Sequence, residues 1–363
     1  MKKIFSLILV MILAVSMAAC GGSGGQSAAE EPAKESAAEP ASEALTAESS
    51  AEEAATEAAA ESTEAAEPAE AETEPAEDAA AEPFVTITDM TGREISLDEP
   101  ATRIVALSAA DCEVLYAIGG GDALVGRGEY CDYPAEVLDV PSVQSGYDTN
   151  IEQIIALEPQ VLLMSTMAQT EEQIAALEAA GIRVVVSDAQ DIEGVYTSID
   201  MIGKLMGKEE NAQAVIDGMK ATFADLQEKA QGDGSETIYF EVSPLEYGLW
   251  TAGTGTFMNE ITEMLGLKNA FDDVEGWAAI SEEQVIERDP DYIVTITMYF
   301  GEGPTPIEEI MGRPGWENIK AVKNEAILNL VDNELSRPAP RLADGAQMLY
   351  DFIYGEEALD NAA

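Results

Sequence analysis

Histidine is absent from this chain, so carboxylates, tyrosines, lysines and three cysteines are left to do chemistry. A Ser-His-Asp relay, a Cys-His pair and a histidine-built metal cage are excluded. Acids cluster at Asp272, Asp273 and Glu275, where neighbouring carboxyls could divide into a general acid and a general base. No nucleophile motif or phosphate-cradling loop accompanies them, so an extracellular enzyme is the weaker reading. Two other glutamates stand in an internal repeat. Glu152-Gln-Ile-Ile-Ala-Leu-Glu-Pro-Gln-Val-Leu162 aligns with Glu283-Gln-Val-Ile-Glu-Arg-Asp-Pro-Asp-Tyr-Ile293. Each segment reads as a short helix that proline stops and that feeds a strand. The match signals two related lobes, or a common helix-proline-strand phrase used twice. Cys112 and Cys131 could pair in an oxidising compartment or remain thiols; their positions in sequence decide neither.

The elements that must position these groups begin with a division by charge. The chain has 363 residues and a formal net charge of −52. Such a protein is repelled by nucleic acid and by anionic membrane surfaces. Residues 1–20 read as an export signal, with Lys2 and Lys3 ahead of an apolar run over 4–15 that is short for a membrane span. Met17-Ala18-Ala19-Cys20-Gly21-Gly22 resembles a bacterial lipobox, which implies Cys20 as the acylated first residue of the mature protein. Residues 21–83 hold 18 acids and one base among Ala, Ser, Thr and Pro, a composition that builds no core. This disordered acidic spacer would extend a coil of roughly 45 Å. The remaining 280 residues carry a net charge of −37.

That remainder reads as α/β. Residues 85–97 alternate around a Thr-Gly turn and predict a hairpin. Strands are expected at 103–107, 123–126, 161–164 and 183–186, and again at 237–242, 292–296 and 326–330. Helical patterns over 151–157, 170–180, 257–265, 282–288 and 341–354 alternate with them, as parallel sheets require. Between the two series, an amphipathic pattern through Val195, Ile199, Ile202, Ile216, Phe223 and Leu226 predicts one long interlobe helix. The expected division is an N-terminal lobe over 84–191, the interlobe helix over 192–231 and a C-terminal lobe over 232–363.

Over nearly all of 84–355 the chain resembles the substrate-binding proteins of bacterial ABC importers for iron chelates and vitamin B12. The resemblance rests on ordered segments: Arg103-Ile-Val-Ala-Leu-Ser108 with Glu113, Gly126 to Tyr130 leading into Asp132-Tyr-Pro134, and Asn150-Ile-Glu152 with Leu157-Glu-Pro159. Thr251-Ala-Gly253 with Gly255-Thr-Phe257, Glu275-Gly-Trp277 and Ser336-Arg-Pro-Ala-Pro-Arg341 complete it. It implies two Rossmann-like lobes joined by one long helix, with ligand held in the cleft between them. It also implies ligand-binding roles for Tyr130, Tyr147, Trp250, Trp277 and Arg337, and permease-docking roles for Glu152 and Glu283. Each assignment has a plainer rival: a loop aromatic lying on its lobe, a core tryptophan, an arginine paired locally, or a first-turn acid favoured by the helix dipole.

A lipid-anchored, extracytoplasmic, monomeric carrier follows, without a prosthetic group. It would deliver a metal chelate to a permease dimer driven by an ATPase. Aromatic faces suit a flat amide-fringed corrinoid, the first choice of ligand. A ferric hydroxamate siderophore or haem is the second. Anionic ferric chelates would want several cleft cations, whereas the candidate loops offer chiefly Arg337, with Arg127 and Arg341. Bare zinc or manganese is disfavoured by the missing histidine. A ligand-sensing surface protein is the alternative outside transport.

Overall fold

The computed structural model describes residues 82–355, except 147, 167–169, 300 and 302. The expected export signal, Cys20, nearly all of the expected acidic spacer and Tyr147 therefore lie outside the described residues. The predicted hairpin opens the fold: β1 (Val85–Thr88) pairs antiparallel with β2 (Glu94–Leu97). Asp89 accepts hydrogen bonds from the N–H groups of Thr91 and Arg93, and Gly92 supplies the positive φ of the turn.

The first α/β unit runs β3 (Ile104–Ala106), α1 (Ala109–Ala117), β4 (Leu124–Gly128), β5 (Ser142–Val143), α2 (Ile151–Ala156), β6 (Val161–Met164), α3 (Glu171–Ala179) and β7 (Arg183–Val186). Its strands form a parallel sheet of order β5-β4-β3-β6-β7. β3 and β6 are buried at every residue, the continuous apolar run of a sheet covered on both faces. Next come α4 (Ile192–Met206) and α5 (Glu209–Lys229). The second unit follows as β8 (Thr237–Glu241), β9 (Trp250–Ala252), α6 (Phe257–Met264), β10 (Lys268–Asn269), β11 (Trp277–Ala279), α7 (Glu282–Arg288), β12 (Tyr292–Thr295), α8 (Pro306–Met311), α9 (Lys320–Lys323), β13 (Ile327–Asn329) and α10 (Leu342–Tyr354). Its parallel sheet has order β10-β8-β12-β13, and β9 pairs with β11 as a separate antiparallel ribbon.

The expectation of one helix over 192–231 needs correction. Gly207 ends α4 with φ +63, a left-handed cap that suits glycine, and the chain turns into α5. A Cβ on Gly203 would stand 2.5 Å from the Ala212 Cβ, so two helices can pack this closely only through the glycine. The amphipathic pattern is continuous in sequence; the helix axis is not. α4 packs against β1 and α1, while α5 packs against α6 and α10, so the tie between the lobes is a helix pair.

The repeat is physical. In both sheets the entering strand (β3, β8) has the next sheet strand on one side and, on the other, the strand that follows the Glu-Gln helix (β6, β12). Glu158 and Asp289, each just before proline, share a left-handed backbone with φ 48° and 46°. One apolar core links the units, from Ile104, Leu115 and Leu163 through Ile199 and Phe223 to Ile261 and Leu349. Each such side chain contributes about 1.5–3 kcal/mol by leaving water.

Candidate functional site

The first turns of α1 hold three consecutive side chains of different character, all buried: Asp111, Cys112 and Glu113. Glu113 is the acid that joins the lobes. Its Oε2 accepts from Arg341 Nε at 3.0 Å, and its Oε1 accepts from Arg341 Nη2 at 2.8 Å and Arg337 Nη1 at 3.1 Å. Both arginines come from the segment between β13 and α10, more than 220 residues away in sequence. Arg337 also donates to Asp132 Oδ1 at 2.6 Å and to the Tyr130 carbonyl at 3.1 Å. Arg341 donates to the Asp332 carbonyl, lies 3.8 Å from Glu334 and stacks 3.9 Å over the Tyr133 ring. Paired carboxylates hold both guanidinium groups above their ordinary range against the opposing effect of burial. A cleft of about 530 Å³ opens beside this network, lined by Glu113, Tyr116, Tyr133, Glu136, Arg341 and Asp344 among others.

The loop that carries Tyr130 is shaped by Arg127, which donates to the carbonyls of Val140, Gly128 and Cys131. Arg127 is thus committed to backbone. Gly128 is required because a Cβ there would meet the Leu107 carbonyl oxygen at 2.3 Å. The Tyr130 side chain is 78% exposed, so the loop presents its ring to solvent.

Trp250 and Trp277 share the β9–β11 ribbon. Trp250 opposes Ala279 and Trp277 opposes Ala252, which sets both indoles on one face. They differ in environment. Trp250 is 42% exposed, whereas Trp277 is half-buried, with its ring centroid 5.3 Å from that of Phe257. The Trp277 Nε1–H donates to Gln190 Oε1 at 2.8 Å, at the entrance to α4. Phe257 N–H bonds the Gln190 carbonyl and Ile192 N–H bonds Glu260, so this corner ties α6 to the start of α4.

The structure therefore brings Tyr130 and Arg337 into direct contact and places Trp250 beside Trp277. No hydrogen bond or ring contact among the described residues joins the two groups. Glu113, Asp132 and Tyr133 are members of the site that the sequence reading does not assign to it. Their signal is their place in the ordered segments of the resemblance, Glu113 after Ser108 and Asp132-Tyr133 before Pro134, with two arginines four residues apart at a helix start.

Two residues before Glu113, Asp111 is fully buried and neither of its oxygens has a hydrogen-bond partner. Burial pushes its carboxyl up to about 7; the nearby Ser187 hydroxyl opposes the rise and Asp188 adds to it. Ser187 Oγ is itself engaged with Ser198 Oγ at 2.7 Å. Cys112 and Cys131 are buried free thiols. Both Sγ atoms approach the Ala106 carbonyl, at 3.8 and 3.9 Å. Hydrogen bonding with Cys131, then burial, holds the Cys112 thiol well above its ordinary value, which leaves it unreactive.

Glu152 and Glu283 occupy matching, exposed first-turn positions of α2 and α7. In each helix the next residue, Gln153 or Gln284, gives its N–H to the cap side chain, Asn150 or Ser281, and the one after is buried. Local hydrogen bonds to its own backbone N–H and to Ser281 hold Glu283 below the usual carboxylate range.

Known proteins are similar to this chain in sequence and fold. A family model described as periplasmic binding protein matches residues 104–333. An uncharacterized ABC transporter substrate-binding lipoprotein of Bacillus subtilis (strain 168) is 35% identical over 276 residues, which cover 74% of this chain and 85% of that protein. A vitamin B12-binding protein of Vibrio cholerae is 26% identical over 255 residues, 70% of this chain and 90% of its own. The crystal structure of a possible iron-binding (periplasmic solute-binding) protein from Staphylococcus epidermidis matches with a TM-score of 0.59 at 32% identity, covering 70% of this chain and all of that one. With two parallel α/β lobes closed over a shared core and most of its folded length matched, this chain belongs to the periplasmic binding protein family.

Proposed function

We propose that this protein is a lipid-anchored, extracytoplasmic carrier that captures a metal chelate between its lobes and delivers it to an ABC permease. The observation that carries the reading is the meeting of the lobes at Arg337, which is bound to Glu113, Asp132 and the Tyr130 carbonyl of the other lobe. A ligand held there touches both lobes, which is the condition for coupling binding to closure. Tyr130, Trp250, Trp277 and Arg337 are the proposed contacts, and Tyr147 joins them by resemblance alone. Glu152 and Glu283 would each meet one half of a two-fold permease. The domain limits proposed are 84–191 and 232–363, with 192–231 between them.

A cobalamin-type corrinoid is the ligand we favour. The exposed rings of Tyr130 and Trp250 offer flat area at small entropy cost, and a B12-binding protein is among the relatives. A ferric hydroxamate is the second reading, supported by the match to a possible iron-binding protein. Haem is the other alternative, and haem-binding proteins of the same fold are among the structural matches. The relatives are binding proteins, and the proposed role involves no catalytic step.

Titration of the purified chain with cyanocobalamin, ferrichrome and haem, followed by tryptophan fluorescence, tests the reading. Saturable cyanocobalamin quenching at micromolar levels or below is expected, reduced in the Trp250→Ala variant. Tight ferrichrome binding with no response to cyanocobalamin would reverse the order of ligands.

A further inference from the structure

The arginines that a chelate would meet are already neutralised. Arg337 and Arg341 bring two positive charges to the cleft, and three carboxylates lie within 4 Å of them: Glu113, Asp132 and Glu334. All three guanidinium nitrogens of Arg341 and both terminal nitrogens of Arg337 are engaged. The adjoining cleft adds Glu136 and Asp344 and no further base. Arg127 is held by three backbone carbonyls.

We infer that Glu113 and Asp132 are specificity-determining residues: they form a charge filter that admits uncharged or cationic chelates and rejects polyanionic ones. The inference deepens the carrier reading and rests on it. An anionic chelate reaching for Arg337 must displace the Asp132 carboxylate, which is 45% exposed and able to swing away. It must then sit beside the Glu113 carboxylate, whose side chain is 2% exposed and enclosed by both arginines. Like charges brought together where water is scarce repel strongly, and the guanidinium groups cannot offset that repulsion while they serve Glu113. An uncharged amide or hydroxamate fringe meets no such penalty. Its carbonyl groups can share guanidinium N–H donors without removing an ion pair. The two acids have separable parts: Glu113 sets the permanent charge balance, and Asp132 is the competitor an anion must dislodge.

The test compares dissociation constants of the full chain for the trianionic ferric tris-catecholate of enterobactin, for uncharged ferrichrome and for uncharged cyanocobalamin. The wild-type protein is expected to bind its best uncharged probe at least about a hundredfold more tightly than the tris-catecholate, the scale of one or two uncompensated charges. Asp132→Asn, at an exposed position that folding tolerates, should narrow that ratio about tenfold, and Glu113→Gln should narrow it further. Raising NaCl should also narrow the wild-type ratio by screening. A wild-type preference for the tris-catecholate, or a ratio that Asp132→Asn leaves unmoved, overturns the filter while the carrier reading stands. Absence of binding to chelates of every charge overturns the carrier reading and the filter with it.

Discussion

The two lobes repeat one strand order, yet Glu241 of one and Glu113 of the other, both buried, are balanced in different ways. In the C-terminal lobe, the Glu241 carboxylate at the end of β8 is 1% exposed and is held by Arg313 through bonds of 2.6 and 2.9 Å. Arg313 also bonds Glu309 and stacks 4.4 Å over Trp316, so the charge is balanced within one lobe. In the N-terminal lobe, Asp111 has no partner, and Glu113 finds its partners only in the other lobe. The Glu241–Arg313 pair closes within one lobe, whereas the Glu113 pairs close only across the two.

The largest test addresses the proposed docking glutamates, one in each lobe. Reversing both Glu152 and Glu283 to Lys should abolish uptake in cells while the purified protein keeps its ligand affinity. Normal uptake in the double variant would show that the repeat serves folding alone. The next test asks whether the C-terminal lobe is self-sufficient. Arg313→Met strands the Glu241 carboxylate in the core and should lower unfolding free energy by about 3–5 kcal/mol in denaturant titrations. A change under about 1 kcal/mol would mean that Glu241 takes up a proton or water at little cost.

Asp111 provides a test with a pH signature. Its folded value of about 7 lies above its ordinary 3.8, so the folded state binds the proton more tightly than the unfolded chain does. Stability contributed by the bound proton is complete below about pH 4, declines as pH rises and is gone above about pH 7. Asp111→Asn removes that decline. The variant should therefore gain on the wild type between pH 4 and pH 8, by about 4 kcal/mol relative to their difference at pH 4. Parallel stability profiles would show that Asp111 does not titrate in this range. The smallest effect belongs to the corner that ties α6 to the start of α4: Trp277→Phe keeps the ring contact with Phe257 but loses the bond to Gln190, worth about 1 kcal/mol of unfolding free energy.

Much of the frame is legible in the order of the residues alone. Thr170 with Gln173 forms the capping box that starts α3, and Gly181 follows its end. Val161 to Met164 and Arg183 to Val186 are strands with the limits their apolar runs imply. The Glu-Gln repeat falls in the same place in both sheets. The helix α1 is not legible, because Asp111 and Glu113 interrupt the apolar periodicity that marks a helix. The break at Gly207 is hidden for the opposite reason, since the apolar stripe continues on both sides of it. At the candidate site, Arg337 and Glu113 both stand in the ordered segments of the resemblance, but only Arg337 is assigned a role there, because nothing within a few residues of Glu113 distinguishes a buried ion-pair acid from a solvated one.

What the sequence determined by itself is therefore local or global in kind: the strands and caps, the absent histidine, the excess of acid and its division between spacer and folded part. Caps and strands depend on neighbours a few residues away, and net charge depends only on composition. The tertiary structure alone decided which acid meets which base. Glu113 and Arg341 stand 228 residues apart, and Coulomb energy depends on the few ångströms that packing leaves between them. By the same reasoning an aspartate that nothing in the sequence singles out becomes, at Asp111, a buried carboxyl without a hydrogen-bond partner.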